Sequence, residues 1–178
     1  MRPPLVARAL ELAARQRFEQ SCRDEDGALL HLLAGRRGIV RAGEIGTGAG
    51  VGAAWIVSAL EPGVPFVTVE QDTALVTAAR ELFSGDADVS VLEGDWREVM
   101  PGEAPFDFLF VDARDAKDDP DAVLGLLAPR ATVVLDDFWF DSALPDPRRD
   151  GWLQHPELNA IHLWVTPERG ALVAVRWG

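Results

Sequence analysis

Carboxylates gather at the ends of five apolar runs in this chain of 178 residues. VRAGEIG carries Glu44, PFVTVE closes on Glu70, and VSVLEGD carries Glu93 and Asp95. FDFLFVD closes on Asp112, and ATVVLDD on Asp136 and Asp137. Acids crowded at one rim repel phosphate and attract cations. They suit an ammonium or sulfonium group, a pair of hydroxyls, or a divalent ion bound through oxygen.

The first acid sits beside a glycine loop, EIGTGAGVG, in which Gly46, Gly48 and Gly50 permit a tight turn and close approach of a ligand to backbone. Gly48, Gly50 and Ala53 also meet the G-x-G-x-x-A spacing used for dinucleotides, with Glu70 placed where a ribose-binding acid stands. Glu44 weighs against that reading. Two like charges about 4 Å apart cost about 4 kcal/mol at an effective dielectric near 20, so a carboxylate beside a pyrophosphate is unfavourable. The alternative role for Glu44 is to cap nearby backbone donors.

These residues need a scaffold that brings strand ends together. The apolar runs alternate with stretches of helical periodicity, which is the pattern of parallel strands with crossover helices. Strands are expected to end near Ile45, Glu70, Glu93, Asp112 and Asp136, and a terminal hairpin is expected in AIHLWVTPERGALVAVRW. The fold class is α/β: a Rossmann-like doubly wound sheet of about seven strands, mostly parallel with one antiparallel strand, and helices on both faces. Ligands bind such sheets beyond the strand carboxyl ends, where the first and fourth strands flank the switch point. Glu44 and Asp112 are expected to face each other there. Residues 1–37 read as a helical cover and 38–178 as the core of one domain. Helices are expected from Pro4, from Asp24 to Gly35, after the glycine loop to about Leu60, from Thr73 to Phe83, in WREVM and from Asp119 to Leu127. Residues 138–156 read as a loop with one short helix.

Composition narrows the partners. The formal net charge is −12, and it is uneven: residues 1–50 carry eight arginines against six acids, and the rest nine bases against 23 acids. A body this acidic does not suit a nucleic-acid backbone. One cysteine, Cys22, precludes an internal disulfide and fits a reducing compartment. The start of the chain lacks the apolar core of a signal peptide, and no apolar run approaches the roughly 20 residues of a membrane span. The expectation is a soluble cytoplasmic protein with a small-molecule partner, no membrane partner and no nucleic acid; a homodimer stays open.

Taken in order, EIGTGAGVG, VTVEQD, LEGDW, FLFVDARDAK and VVLDD resemble the class I S-adenosylmethionine-dependent methyltransferases, and among them the catechol and caffeoyl-coenzyme A O-methyltransferase-like group. The resemblance spans about residues 20–140. It implies O-methylation of a small, catechol-like acceptor by direct in-line transfer. Glu44, Gly46, Thr47, Gly48 and Gly50 would then surround the methionine part of the cofactor, and Glu70 would accept the ribose hydroxyls. Gln71, Asp95 and Trp96 would reach the adenosine, and Asp112 the amino group. The alternative for Trp96 is a core anchor, and for Ser21 a helix cap. Strand 4 lacks the Asn/Asp-Pro-Pro-aromatic tetrad of amino-methylating enzymes. The readings set against this one are a dinucleotide-dependent oxidoreductase and a non-catalytic S-adenosylmethionine-binding protein.

The same resemblance implies a divalent ion (magnesium, or manganese or calcium) on Asp112, Asp136 and Asp137, with Asp where the group usually has Asn at the last position. Lys117 is the only lysine in the chain. It would be a base or orienter for the acceptor oxygen, alongside Asp112, but it stands two residues later than the group's lysine. The alternative is a solvated loop lysine. His31, His155 and His162 show no ligand spacing, and Cys22 no nucleophile motif. Trp55 and Trp164 read as core, whereas Trp139 and Trp152 either wall an acceptor site or pack.

Overall fold

A computed structural model describes residues 2–139 and 146–178. Two cover helices come first, α1 (Pro4–Gln16) and α2 (Asp24–Ala34). Then follow β1 (Ala42–Ile45), α3 (Val51–Val57), β2 (Phe66–Glu70), α4 (Thr73–Leu82), β3 (Val89–Glu93), α5 (Trp96–Val99) and β4 (Phe106–Val111). The chain continues with α6 (Arg114–Lys117), α7 (Pro120–Leu124), β5 (Leu127–Trp139), α8 (Pro147–Leu153), β6 (Leu158–Trp164) and β7 (Arg169–Arg176).

The seven strands form one sheet in the order β3-β2-β1-β4-β5-β7-β6. β1 to β5 pair in parallel, and β7 runs antiparallel to both β5 and β6. This is the expected α/β doubly wound sheet with one antiparallel strand. Side chains alternate across it, as period 2 requires. Phe108 and Phe110 of β4 pack toward Val6, Leu30 and Ile56 on one face, while Leu109 and Val111 pack toward Trp96, Leu124 and Trp152 on the other. Both faces are covered, so the central strands read as near-continuous apolar runs.

Local chemistry sets the elements that reach the cleft. Pro4 opens α1 at a position where its missing N–H costs nothing. Arg17 ends the helix in the left-handed region at φ 53°, and Phe18 N–H closes the turn on Ala13 C=O at 2.9 Å. That reversal turns residues 18–23 back over the glycine loop. Asp24, Glu25 and Asp26 occupy the first turn of α2, where the helix dipole favours acids.

Three expectations need correction. The strand after residue 127 is much longer than TVVLD. β5 starts at Leu127 and reaches Trp139, because β7 continues to pair with it beyond the acids. A separate one-turn helix, α6, precedes α7, where a single helix from Asp119 was expected. Glu44 does not face Asp112: it pairs with Phe110 in register, and the Asp112 N–H donates to Ile45 C=O at 2.8 Å. Gly46 is the residue opposite Asp112.

Candidate active site at the switch point

Beyond the carboxyl ends of β1, β2, β4 and β5 lies one continuous cleft of about 960 Å³. Gly46, Gly48, Glu70, Gln71 and Trp96 line one end, and Asp112, Lys117, Asp136 and Asp137 the other. Glu44, Thr47, Gly50 and Asp95 do not line it.

The loop is shaped by its glycines. Gly46 has φ +98°, and a Cβ there would lie 3.1 Å from the Asp112 carbonyl carbon. Gly48 has φ +51°, and its Cβ would lie 2.8 Å from the Phe18 ring. Phe18 therefore rests directly on the loop. Glu70 anchors the loop from β2: its Oε2 accepts the Gly48 N–H at 2.8 Å, and its Oε1 accepts the N–H groups of Gln71 and Asp72 at 2.8 and 3.0 Å. A carboxylate offers about four acceptor sites. Three are taken by backbone, which leaves room for one further donor from the cleft where two ribose hydroxyls were expected.

Glu44 lies behind the loop, 1% exposed. Thr68 Oγ1 donates to it at 2.7 Å, and Thr68 in turn meets Thr47 Oγ1 at 2.6 Å. Burial raises Glu44 to about 8 against the hydrogen bonds from Thr68 and the Ala53 N–H. It carries a proton at neutral pH, so the electrostatic case against a dinucleotide passes to Glu70. Its place beneath α3 matches the backbone-capping alternative. Gly50 is the left-handed residue before α3. Asp95 caps α5 by accepting the Arg97 N–H at 2.8 Å. Trp96 is 3% exposed and donates its indole N–H to Asp115 at 2.9 Å, which makes it a core anchor with an edge on the cleft.

The other end is built around an ammonium. α6 is a single turn after Asp112, and it swings Lys117 back toward the sheet in spite of the longer spacing. The ammonium is within 3.2 Å of Asp112 Oδ1 and 2.6 Å of Asp136 Oδ1. Lys117 is 6% exposed, which overturns the solvated-loop alternative. Trp152 fixes its backbone: the indole N–H donates to Lys117 C=O at 2.9 Å, and Trp152 is wholly buried. Burial pulls the Lys117 ammonium down, but Asp136 and Asp112 outweigh it and the net shift is up. Burial pushes the Asp112 carboxyl well above its ordinary range, helped by Asp136 and opposed by Lys117.

A bulge aims the acid pair. The β5–β7 register shifts between Leu135 and Phe138, and Asp137 adopts φ 60°. An extra residue at a bulge sends neighbouring side chains to unusual directions. Asp136 points inward, 5% exposed, and Asp137 outward, where Arg169 holds it at 2.7 Å. Asp and Asn both tolerate the left-handed region, which fits Asp at a position where the related group carries Asn.

Oxygens of Asp112, Asp136 and Asp137 lie within 4.8 Å of one another, a span suited to one ion. The ammonium of Lys117, however, stands between two of the three acids, and the Arg169 guanidinium engages the third. As arranged, these residues do not fit a divalent ion.

Several cleft residues escaped sequence reasoning. Phe18, Cys22 and Arg23 of the α1–α2 turn line the cleft, with Asp26 and Arg148. The turn at Arg17 brings residues 18–23 there and no motif marks it, while Asp26 comes from α2 and Arg148 from α8. Burial, with Asp136 and Asp137 nearby, raises Asp26 to about 6. Burial and surrounding acids push the Cys22 thiol up, consistent with no nucleophilic role. Ser21 lines the cleft and donates to Phe18 C=O at 3.4 Å; α2 is capped at Arg23, so Ser21 is not its cap. Trp55 is buried as expected, but Trp164 is 51% exposed on the edge strand. The Trp139 side chain lies outside the described residues. No described helix is long and apolar enough to cross a membrane.

A profile of the methyltransferase domain family matches residues 44–138, from the glycine loop to the bulge. The chain belongs to this methyltransferase family. A Mycobacterium tuberculosis protein described as a probable O-methyltransferase is 34% identical over 103 residues, 54% of this chain and 46% of the relative. The chain thus spans about half the length of that relative. One from Mycobacterium ulcerans is 32% identical over 144 residues, 76% of this chain and 62% of its own. Among solved structures, the O-methyltransferase TomG from Streptomyces achromogenes, involved in tomaymycin synthesis and crystallised with SAM, has a TM-score of 0.81 at 25% identity. The match covers 100% of this chain and 92% of TomG. An O-methyltransferase from Bacillus cereus in complex with SAH shares the fold, with a TM-score of 0.81 at 23% identity over 99% of this chain and 92% of its own.

Proposed function

We propose that this chain transfers the methyl group of S-adenosylmethionine to an oxygen of a small acceptor. The observation that carries this reading is the continuity of the cleft: the glycine loop with Glu70 and the acid–lysine cluster open into the same space. About 960 Å³ lies near the upper end for small-molecule sites, which suits two small reactants side by side. SAM bound in TomG, and the O-methyltransferase relatives, support the cofactor and the reaction class. The family match disfavours the oxidoreductase alternative.

Gly46, Gly48, Glu70 and Gln71 would hold the cofactor, whose sulfonium supplies the electrophilic methyl. Glu44, Thr47 and Gly50 would act from behind, by fixing the loop. An acceptor oxygen attacks the methyl carbon in line; the new C–O bond forms as the C–S bond breaks, and the electron pair leaves with a neutral thioether. Alignment of the two reactants is the main contribution of such a site. Asp112 lines the acceptor end and, in its ionised form, would take the hydroxyl proton. Lys117 keeps its proton and would orient the acceptor oxygen. A catechol-like acceptor suits this end, since a vicinal diol offers one oxygen to Asp112 and one to Lys117.

Calorimetry with S-adenosylhomocysteine and with NADH tests the cofactor. Binding of the former alone supports the reading; binding of NADH alone ends it. Turnover is then assayed on a panel of catechols with radiolabelled methyl donor.

A further inference from the structure

We propose that Lys117 is the built-in cation of the acceptor end, standing where a divalent ion would have to stand, so that wild-type protein does not take up metal at Asp112, Asp136 and Asp137. Its role in turnover rests on the methyl-transfer reading above; its role in excluding metal does not.

An ion on these three acids needs oxygens at about 2.0–2.6 Å all round it. The Lys117 Nζ already lies 2.6 Å from Asp136 Oδ1 and 3.2 Å from Asp112 Oδ1. It occupies the Oδ1 atoms that an ion bridging these two acids would use. Nor is the lysine an idle surface group. It is 6% exposed, its helix turn is closed by Lys117 N–H to Ala113 C=O at 3.0 Å, and Trp152 clamps its carbonyl from beneath. Asp137, the remaining ligand, is turned toward Arg169 at 2.7 Å. Two fixed cations therefore face three carboxylates, a balance that leaves little of the charge that draws a divalent ion.

The substitution is also chemically serviceable. An ammonium has three N–H donors. Asp112 and Asp136 use two, and the third serves an oxygen in the cleft, which Lys117 lines. It would position an acceptor oxygen as an ion does, while remaining tethered to the chain.

The test uses Mn²⁺ alone, followed by the electron paramagnetic resonance of the free ion, on the 178-residue chain without methyl donor. Wild type is expected to bind no stoichiometric Mn²⁺ at millimolar concentration. Lys117→Met removes the cation and leaves three acids, so Mn²⁺ affinity should rise at least tenfold. Lys117→Arg, which keeps the charge, should stay like wild type. Adding Asp136→Asn to Lys117→Met should abolish the gain. One tightly bound Mn²⁺ per wild-type chain, lost in Asp136→Asn, would overturn the proposal, as would no gain in a folded Lys117→Met or Lys117→Gln variant. The wild-type arm stands even if a variant fails to fold. Calorimetric binding of S-adenosylhomocysteine, measured in parallel, reports separately on the cofactor reading.

Discussion

The indole of Trp152 donates to the carbonyl oxygen of Lys117 across 35 residues of sequence, at 2.9 Å. This bond ties α8 to the one-turn helix that carries the lysine. Trp152→Phe keeps most of the packing and orphans that carbonyl. A buried acceptor left unpaired costs about 1–3 kcal/mol. Urea unfolding should show a loss in that range, and turnover should fall further than stability predicts because Lys117 loses its support. Unchanged turnover in a stable variant would mean that the bond does not position the lysine.

Glu44 makes stability fall as pH rises. Its folded value is about 8, above the ordinary 4.5, so the folded state holds the proton more tightly than the unfolded one. That contribution is complete below pH 4.5 and is lost as pH climbs through 8. Glu44→Gln removes the titration. Its stability relative to wild type should improve by a few kcal/mol between pH 5 and 8.5, on the scale of about 1.4 kcal/mol per pKa unit. Thermal melts across that range check it; a pH-independent difference would show that Glu44 does not hold the extra proton.

Glu70 should matter twice, as loop anchor and as cofactor contact. Glu70→Gln replaces one carboxylate oxygen by an amide nitrogen that cannot accept, so either the Gly48 contact or the pair to Gln71 and Asp72 breaks. Affinity for S-adenosylhomocysteine is expected to drop 10- to 100-fold by calorimetry, with little change in melting temperature beyond a few degrees. A variant that binds as wild type would exclude Glu70 from the cofactor end.

Gly48 and Phe18 should be coupled. A Cβ at residue 48 would lie 2.8 Å from the Phe18 ring, at a φ of +51° that side chains adopt reluctantly. Gly48→Ala should weaken cofactor binding by at least tenfold by pushing Phe18 off the loop. Phe18→Ala relieves the clash, so the double variant should bind better than additivity of the single losses allows. Strict additivity would show that the backbone, and not Phe18, absorbs the change.

The sheet was legible because buried parallel strands leave an unmistakable trace: apolar runs spaced by helices, each ending in a polar residue. Glu70 and Asp112 reach the cleft on that logic alone. Glu44 does not, because β4 runs on past β1 in register and leaves the acid within the sheet, where its charge is expensive. Lys117 was harder still. Its position depends on a four-residue helix, too short for any periodic signal, and on a tryptophan far along the chain. The bulge at Asp136 and Asp137 is equally silent, since it arises from pairing with β7 and not from local preference. Trp164 shows the reverse failure: a large apolar residue in a strand reads as core, yet it stands on the sheet's outermost strand, half open to solvent.

The family profile ends at residue 138, but the strand that keeps Asp137 in place begins at Arg169. The smallest working unit is thus larger than its recognisable portion. Trimming the chain to residues 44–138 would unmoor Asp137, however complete the glycine turn remained. The last hairpin, the part least marked by any motif, is the keel on which the acid pair is trued.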